Sequence, residues 1–131
     1  MKLKIIPVEQ DRLPKEQFAE LFRQRTKQLA LDVIRLAQKL PKTEEATIMK
    51  RQLLRSATSV AANYRAACRA RSSAEFYAKL CIVVEEADES LFWLELLEES
   101  GITSAITVQE LKKEFTEVLS IMAKARKTMH K

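Results

Sequence analysis

Only four residues of this 131-residue chain break helices readily: Pro7, Pro14, Pro41 and Gly101. Proline lacks an amide donor and clashes with the preceding turn, and glycine supplies the positive φ that closes turns. A chain so poor in both has little material for hairpins. The stretches between these breakers are dominated by Ala, Leu, Glu, Lys, Arg and Gln, which lose little on entering a helix. An all-α protein is the expectation.

The helix ends can be read from the same breakers and from capping residues. Pro14 suits a helix entry, and nothing interrupts the chain before Pro41. Phe18, Phe22, Leu29, Val33, Leu36 and Leu40 recur at three- and four-residue steps or their sum, so a first helix is predicted over about 15–40. Thr43 caps a second, about 44–70, with Glu44 and Glu45 in the turn where the helix dipole favours acid. Ser72 and Glu75 form a capping box that opens a third, about 73–99. Its seam is Phe76, Leu80, Val83, Ala87, Ser90, Leu94 and Leu97, and Gly101 stands just past its end. Thr107 and Glu110 repeat the capping-box pattern and predict a fourth helix over about 107–128, lined by Leu111, Phe115, Val118, Met122, Ala125 and Met129. Four such helices on short loops make an antiparallel up-down-up-down four-helix bundle. The expected organisation is one domain over 1–131, with residues 1–14 as an N-terminal arm.

Charge is distributed unevenly. The net value is +5, but residues 46–74 carry +6 with no acid, and residues 75–99 carry −7. Adjacent segments of opposite sign point to mutual attraction first and a charged partner second. Cys68 and Cys81 sit inside apolar patterns and read as buried thiols in a reducing cytoplasm. The N-terminus lacks a signal-peptide core, and the longest apolar run, 80–84, is far too short to span a bilayer. A cytoplasmic protein with no membrane contact is expected.

The inventory argues against catalysis. His130 is the only histidine and the penultimate residue, so no nucleophile–histidine pair is in prospect. There is no glycine-rich phosphate loop and no Glu-x-x-His motif of the kind di-iron bundles use. Glu85, Glu86, Asp88 and Glu89 are dense, but read better as a solvated or ion-paired face than as a metal site. No catalytic residue, metal or cofactor is predicted.

One stretch is unusual for a bundle. In residues 56–70, ten of fifteen side chains are Ala, Ser, Thr or Cys. Small side chains let helix axes approach closely and recover dispersion energy. Ser56, Ser59 and Asn63 share one face bordered by Arg55, and Glu86, Glu89 and Trp93 recur at the same steps on the third helix. The two faces are expected to meet as a polar lock, with Arg55 forming a buried pair with Glu86 or Glu89. Such a pair stabilises weakly and serves better to fix register. The alternative is that these charges lie on a solvated face. Arg65, Arg69 and Arg71 cluster beside Ser72 and Ser73, where a helix N-terminus and guanidiniums could hold a phosphate, although cations at a helix C-terminus are favourable in any case.

Residues 52–101 resemble the bacterial four-helix bundle family also called the ribosomal RNA intervening-sequence protein family. The likeness is carried by Arg55, Ser56, Ser59, Asn63, Tyr64 and Arg65, then by Phe76, Lys79, Glu86, Glu89 and the WLELL of residues 93–97. The first and fourth helices agree in length and pattern. The resemblance implies a small bundle that assembles as a ring-like homopentamer. Similar proteins are encoded within insertions in large-subunit ribosomal RNA genes or elsewhere in bacterial genomes, mostly without established activity. A related branch, the accessory variability determinant of diversity-generating retroelements, binds nucleic acid through a basic surface and works beside a reverse transcriptase. Ala66 stands where relatives often carry Glu, and Glu85 where they often carry Lys; the second departure makes the third helix more acidic.

The residues themselves also suggest self-association. Tyr77, Cys81, Val84 and Leu91 form a second apolar row on the third helix, which calls for either a central position or cover from another subunit. Two functional readings follow. In the first, a non-enzymatic oligomer binds RNA or DNA phosphates without sequence specificity through Lys50, Arg51, Arg65, Arg69, Arg71, Lys124, Arg126, Lys127 and Lys131. In the second, the protein is an interaction scaffold with no nucleic-acid ligand.

Overall fold

The computed structural model describes residues 15–129, so the predicted arm 1–14, His130 and Lys131 lie outside it. Four helices follow in order: α1 (Lys15–Gln38), α2 (Glu44–Cys68), α3 (Ser73–Glu99) and α4 (Ala105–Thr128).

Three of the predicted ends move. α1 stops at Gln38 rather than 40, and the chain tightens there through Lys39 N–H to Leu36 O at 3.0 Å and Leu40 N–H to Ala37 O at 3.3 Å. Pro41 is the cause, since its ring disfavours helical geometry at the residue before it. α2 ends at Cys68, two residues early, where Arg69 and Ala70 make i→i−3 bonds of 3.0 Å to Ala66 and Ala67. α4 begins at Ala105, so Thr107 lies within its first turn instead of capping it. Ser104 takes the cap position with extended backbone, but its hydroxyl meets the Thr107 hydroxyl at 3.1 Å and no amide.

The other end signals act as read. Thr43 accepts from Ala46 N–H at 3.3 Å, and Ser72 accepts from Glu75 N–H at 3.1 Å. Gly101 has φ 77°, and the carbonyls of Glu98 and Leu97 receive the amides of Gly101 and Ile102 at 3.0 and 3.1 Å. This left-handed stop satisfies carbonyls that the helix leaves orphaned.

Each helix packs against its neighbours in sequence, and α1 closes against α4, giving an all-α four-helix bundle. The α2–α3 contact is the most extensive and the α1–α4 contact the thinnest. One core runs the length of the bundle, with Phe22, Leu53, Leu80, Leu94, Leu111 and Phe115 fully buried. Burying each such side chain contributes about 1.5–3 kcal/mol. The Phe22 ring meets Tyr64 edge-on at 4.8 Å, which seats the start of α1 beside the end of α2.

Tyr77, Cys81, Val84 and Leu91 are half-buried within a single copy, and Val84 and Leu91 pack directly on the core. This row therefore does not by itself demand cover from a second subunit. Among the described residues the exposed large apolar side chains are Leu31, Ile48, Phe92 and Ile106. No helix among them is long and apolar enough to cross a membrane.

Candidate nucleic-acid interface and the polar contact between α2 and α3

The expected polar lock has two levels. At depth, the Ser56 and Ser90 hydroxyls lie 2.8 Å apart, both fully buried. Ser90 also reaches Glu86 O at 2.9 Å and Ser56 reaches Leu53 O at 3.2 Å, so each hydroxyl has a backbone acceptor on its own helix besides its partner across the contact. Small residues flank the pair, with Ala57 and Ala87 essentially inaccessible. Because these short side chains let α2 and α3 close together, longer neighbours are pushed to the rim.

Arg55 is one of those neighbours. Its Nη2 donates to Glu89 Oε2 at 2.8 Å, its Nη1 is 3.8 Å from Glu86, and Trp93 Nε1 donates to the same Glu89 oxygen at 3.3 Å. The Arg55 side chain is 60% exposed, so the expected buried pair is a surface pair. Screening by water limits it to less than about 1 kcal/mol. Ser59 and Asn63 do not reach α3: the Asn63 amide donates to Ser59 Oγ at 2.8 Å and Ser59 O at 3.0 Å, within α2.

The predicted phosphate-binding residues separate into two groups. The ends of α2 and α4 and the starts of α1 and α3 share one end of the bundle. The Phe22–Tyr64 contact and the influence of Arg126 on Tyr77 both tie those segments together. Arg65, Arg69, Arg71, Lys124 and Lys127 are exposed there, and Arg126 is half-buried. Lys50 and Arg51 lie on the early turns of α2, near the opposite end. Fourteen residues of helix put Arg51 about 21 Å from Arg65. They cannot join the same compact site. Lys131 lies outside the described residues.

Two details temper the anion site expected at the start of α3. The Ser72 oxygen already accepts from Glu75 N–H, and Arg71 Nε lies 3.8 Å from the Glu75 carboxylate. That carboxylate occupies the neighbourhood an anion would seek. The exposed cations at the ends of α2 and α4 are the more accessible group.

The least anticipated polar feature lies in the α1–α4 seam. Arg25 donates from Nε and Nη2 to the two Glu114 oxygens at 2.5 and 2.6 Å, and from Nη2 to Glu117 at 2.7 Å. Arg25 and Glu114 are each 2% exposed. Burial works against the Arg25 charge, but hydrogen bonds and attraction from Glu114 and Glu117 outweigh it and hold its pKa above the ordinary arginine value. Burial instead pushes the Glu114 carboxyl up: Arg25 pulls it down, while like-charged Glu117 adds to the rise. The asymmetry is physical, since two carboxylates serve one guanidinium.

Asp32, on the same helix, is also buried. Its Oδ1 accepts from Gln28 at 3.0 Å and Arg35 at 3.1 Å, and its Oδ2 has no hydrogen-bond partner among the described residues. A sequence signal existed for both. Arg25 and Asp32 follow Phe22 and Leu29 by three, and Glu114 follows Leu111 by three, so charged residues occupy positions on the apolar stripe. Among the described residues no group of three His, Cys, Asp or Glu is placed to hold a metal ion.

Known proteins bear on this arrangement at two levels. No curated protein matches the chain. A crystal structure of a protein of unknown function from the S23 ribosomal protein family of Bacteroides thetaiotaomicron is similar, with a TM-score of 0.77 and 29% sequence identity over 83% of this chain and 97% of that one. The family described as 23S rRNA-intervening sequence protein matches residues 20–124, which take in all of α2 and α3 and most of α1 and α4. With that span matched and the same helical architecture in a solved relative, the chain belongs to the 23S rRNA-intervening sequence protein family.

Proposed function

We propose that this protein is a non-enzymatic, oligomeric bundle that binds nucleic-acid phosphates through one end. The observation that carries the reading is that Arg65, Arg69, Arg71, Lys124 and Lys127 are all exposed at the end of the bundle where α2 and α4, its two diagonal helices, both terminate. Arg126, half-buried, adds a sixth cation. Two helix C-termini favour cations locally, but dipoles alone do not call for this density. Contacts would be to backbone phosphates, independent of base sequence. Lys50 and Arg51 are not part of this end. The competing reading, an interaction scaffold, draws on Phe92, which is 49% exposed on α3.

Titration of labelled RNA and DNA at two salt concentrations tests the proposal. Binding that weakens with salt, with a log–log slope of up to about −4 on single strands for six cations, is expected. Arg65→Glu with Arg69→Glu should reduce affinity, whereas Lys50→Glu should not. No binding near about 50 mM salt by folded protein would leave the scaffold reading in its place.

A further inference from the structure

The end of the bundle that carries the proposed phosphate site is divided by charge along its diagonals. α2 and α4 each pack against α1 and α3 rather than against each other, so their last turns stand at opposite corners. One corner holds Arg65, Arg69 and Arg71, and the other holds Lys124, Arg126 and Lys127. The two corners between them are the starts of α1 and α3, and there the charges cancel. Lys15, Glu16, Glu20 and Arg23 share the first, with Glu20 bridged to Arg23. Glu75 and Lys79 share the second, with Glu75 turned toward Arg71. This end therefore offers two separate groups of three cations, with carboxylates between them.

Neighbouring helices pack about 8–10 Å apart, which sets diagonal axes about 11–14 Å apart. A double helix presents two phosphate walls on a similar scale, the major groove of B-form DNA being about 12 Å wide. We infer that the nucleic acid this end takes is double-stranded, with the phosphates of one strand on the α2 cations and those of the other strand on the α4 cations. Glu16, Glu20 and Glu75 then stand over the open groove, where they face no phosphate. A single strand has one backbone, and to reach both groups it must cross those carboxylates. Binding of single strands relies instead on a continuous basic track and on rings that stack with bases. Among the described residues no aromatic ring is exposed at this end. This inference rests on the phosphate-binding reading above and names the substrate class of that site.

Fluorescence anisotropy over a salt series tests this with the full chain, a labelled DNA duplex about one helical turn long, and one of its strands alone. Six cations on the duplex give a log–log slope of about −5, whereas three on the single strand give about −2. Arg65→Ala/Arg69→Ala and Lys124→Ala/Lys127→Ala should each flatten the duplex slope by about 1.8. Neither pair should change the single-strand slope, because the other group still serves one backbone. All four side chains are exposed, and unchanged helical circular dichroism shows that the variants fold. A single strand that reaches the ceiling of about −4, or that binds as tightly as the duplex, overturns the duplex assignment while leaving phosphate binding in place. A duplex slope that responds to only one of the two variant pairs overturns the two-strand arrangement. No binding of either form by folded protein removes the reading on which the inference rests.

Discussion

Replacing Glu114 with alanine is the sharpest test of how the α1–α4 seam is held. The substitution leaves Arg25, at 2% exposure, with Glu117 as its only carboxylate, and the Glu117 side chain is itself 36% exposed. Two short bonds to the guanidinium disappear, and its charge stays in a site that water barely reaches. Breaking a buried ion pair from one side costs about 3–5 kcal/mol, and the surviving Glu117 contact places this case near about 3. Removing both partners behaves differently. Arg25→Met with Glu114→Leu restores apolar contact and leaves no stranded charge, so its stability should lie within about 1 kcal/mol of the parent or above it. Urea unfolding followed by far-ultraviolet circular dichroism, at one protomer concentration so that assembly is held constant, gives both values from the midpoint shift at constant slope. A Glu114→Ala cost below about 1 kcal/mol, or a double variant that falls as far as the single one, would refute a stranded Arg25 charge as the cause.

Three further outcomes are expected. The raised Glu114 pKa means that its carboxyl contributes stability fully present below the ordinary value of 4.5 and lost as pH rises through the folded value. The stability of the parent relative to Glu114→Gln should therefore decline across that window, read from urea midpoints over a pH series. Ser72→Ala should cost about 1 kcal/mol by thermal or urea unfolding because a cap bond is lost, whereas Ser104→Ala, which removes no bond to an amide, should cost a few tenths. Gly101→Ala should cost about 1–2 kcal/mol in the same assay: φ is 77° and no atom lies within 4 Å of the added Cβ, so the cost is conformational alone.

The chain order of this bundle is local chemistry. Pro41 and Gly101 mark where helices cannot continue, and Thr43 and Ser72 show where they begin, because caps and breakers act through bonds to residues three or four positions away. Periodicity likewise identified the buried side of α1, α3 and α4. Local signals faltered where two competed. Thr107 and Glu110 have the spacing of a capping box, yet α4 starts at Ala105.

Depth and partnership were settled only by packing. Helical spacing says which direction a side chain leaves the axis, not how closely the facing helix approaches. Arg55 and Arg25 both border apolar stripes in sequence. The tight Ser56–Ser90 approach lifts Arg55 to the rim, while the α1–α4 seam encloses Arg25 with Glu114, 89 positions away. The same logic divides the basic residues. Lys50, Arg51 and Arg65 are close in sequence on one helix, but 1.5 Å of rise per residue carries them to opposite ends. Chain reversal instead puts Arg65 and Arg69 at the same end of the bundle as Lys124 and Lys127, a placement that no local pattern encodes.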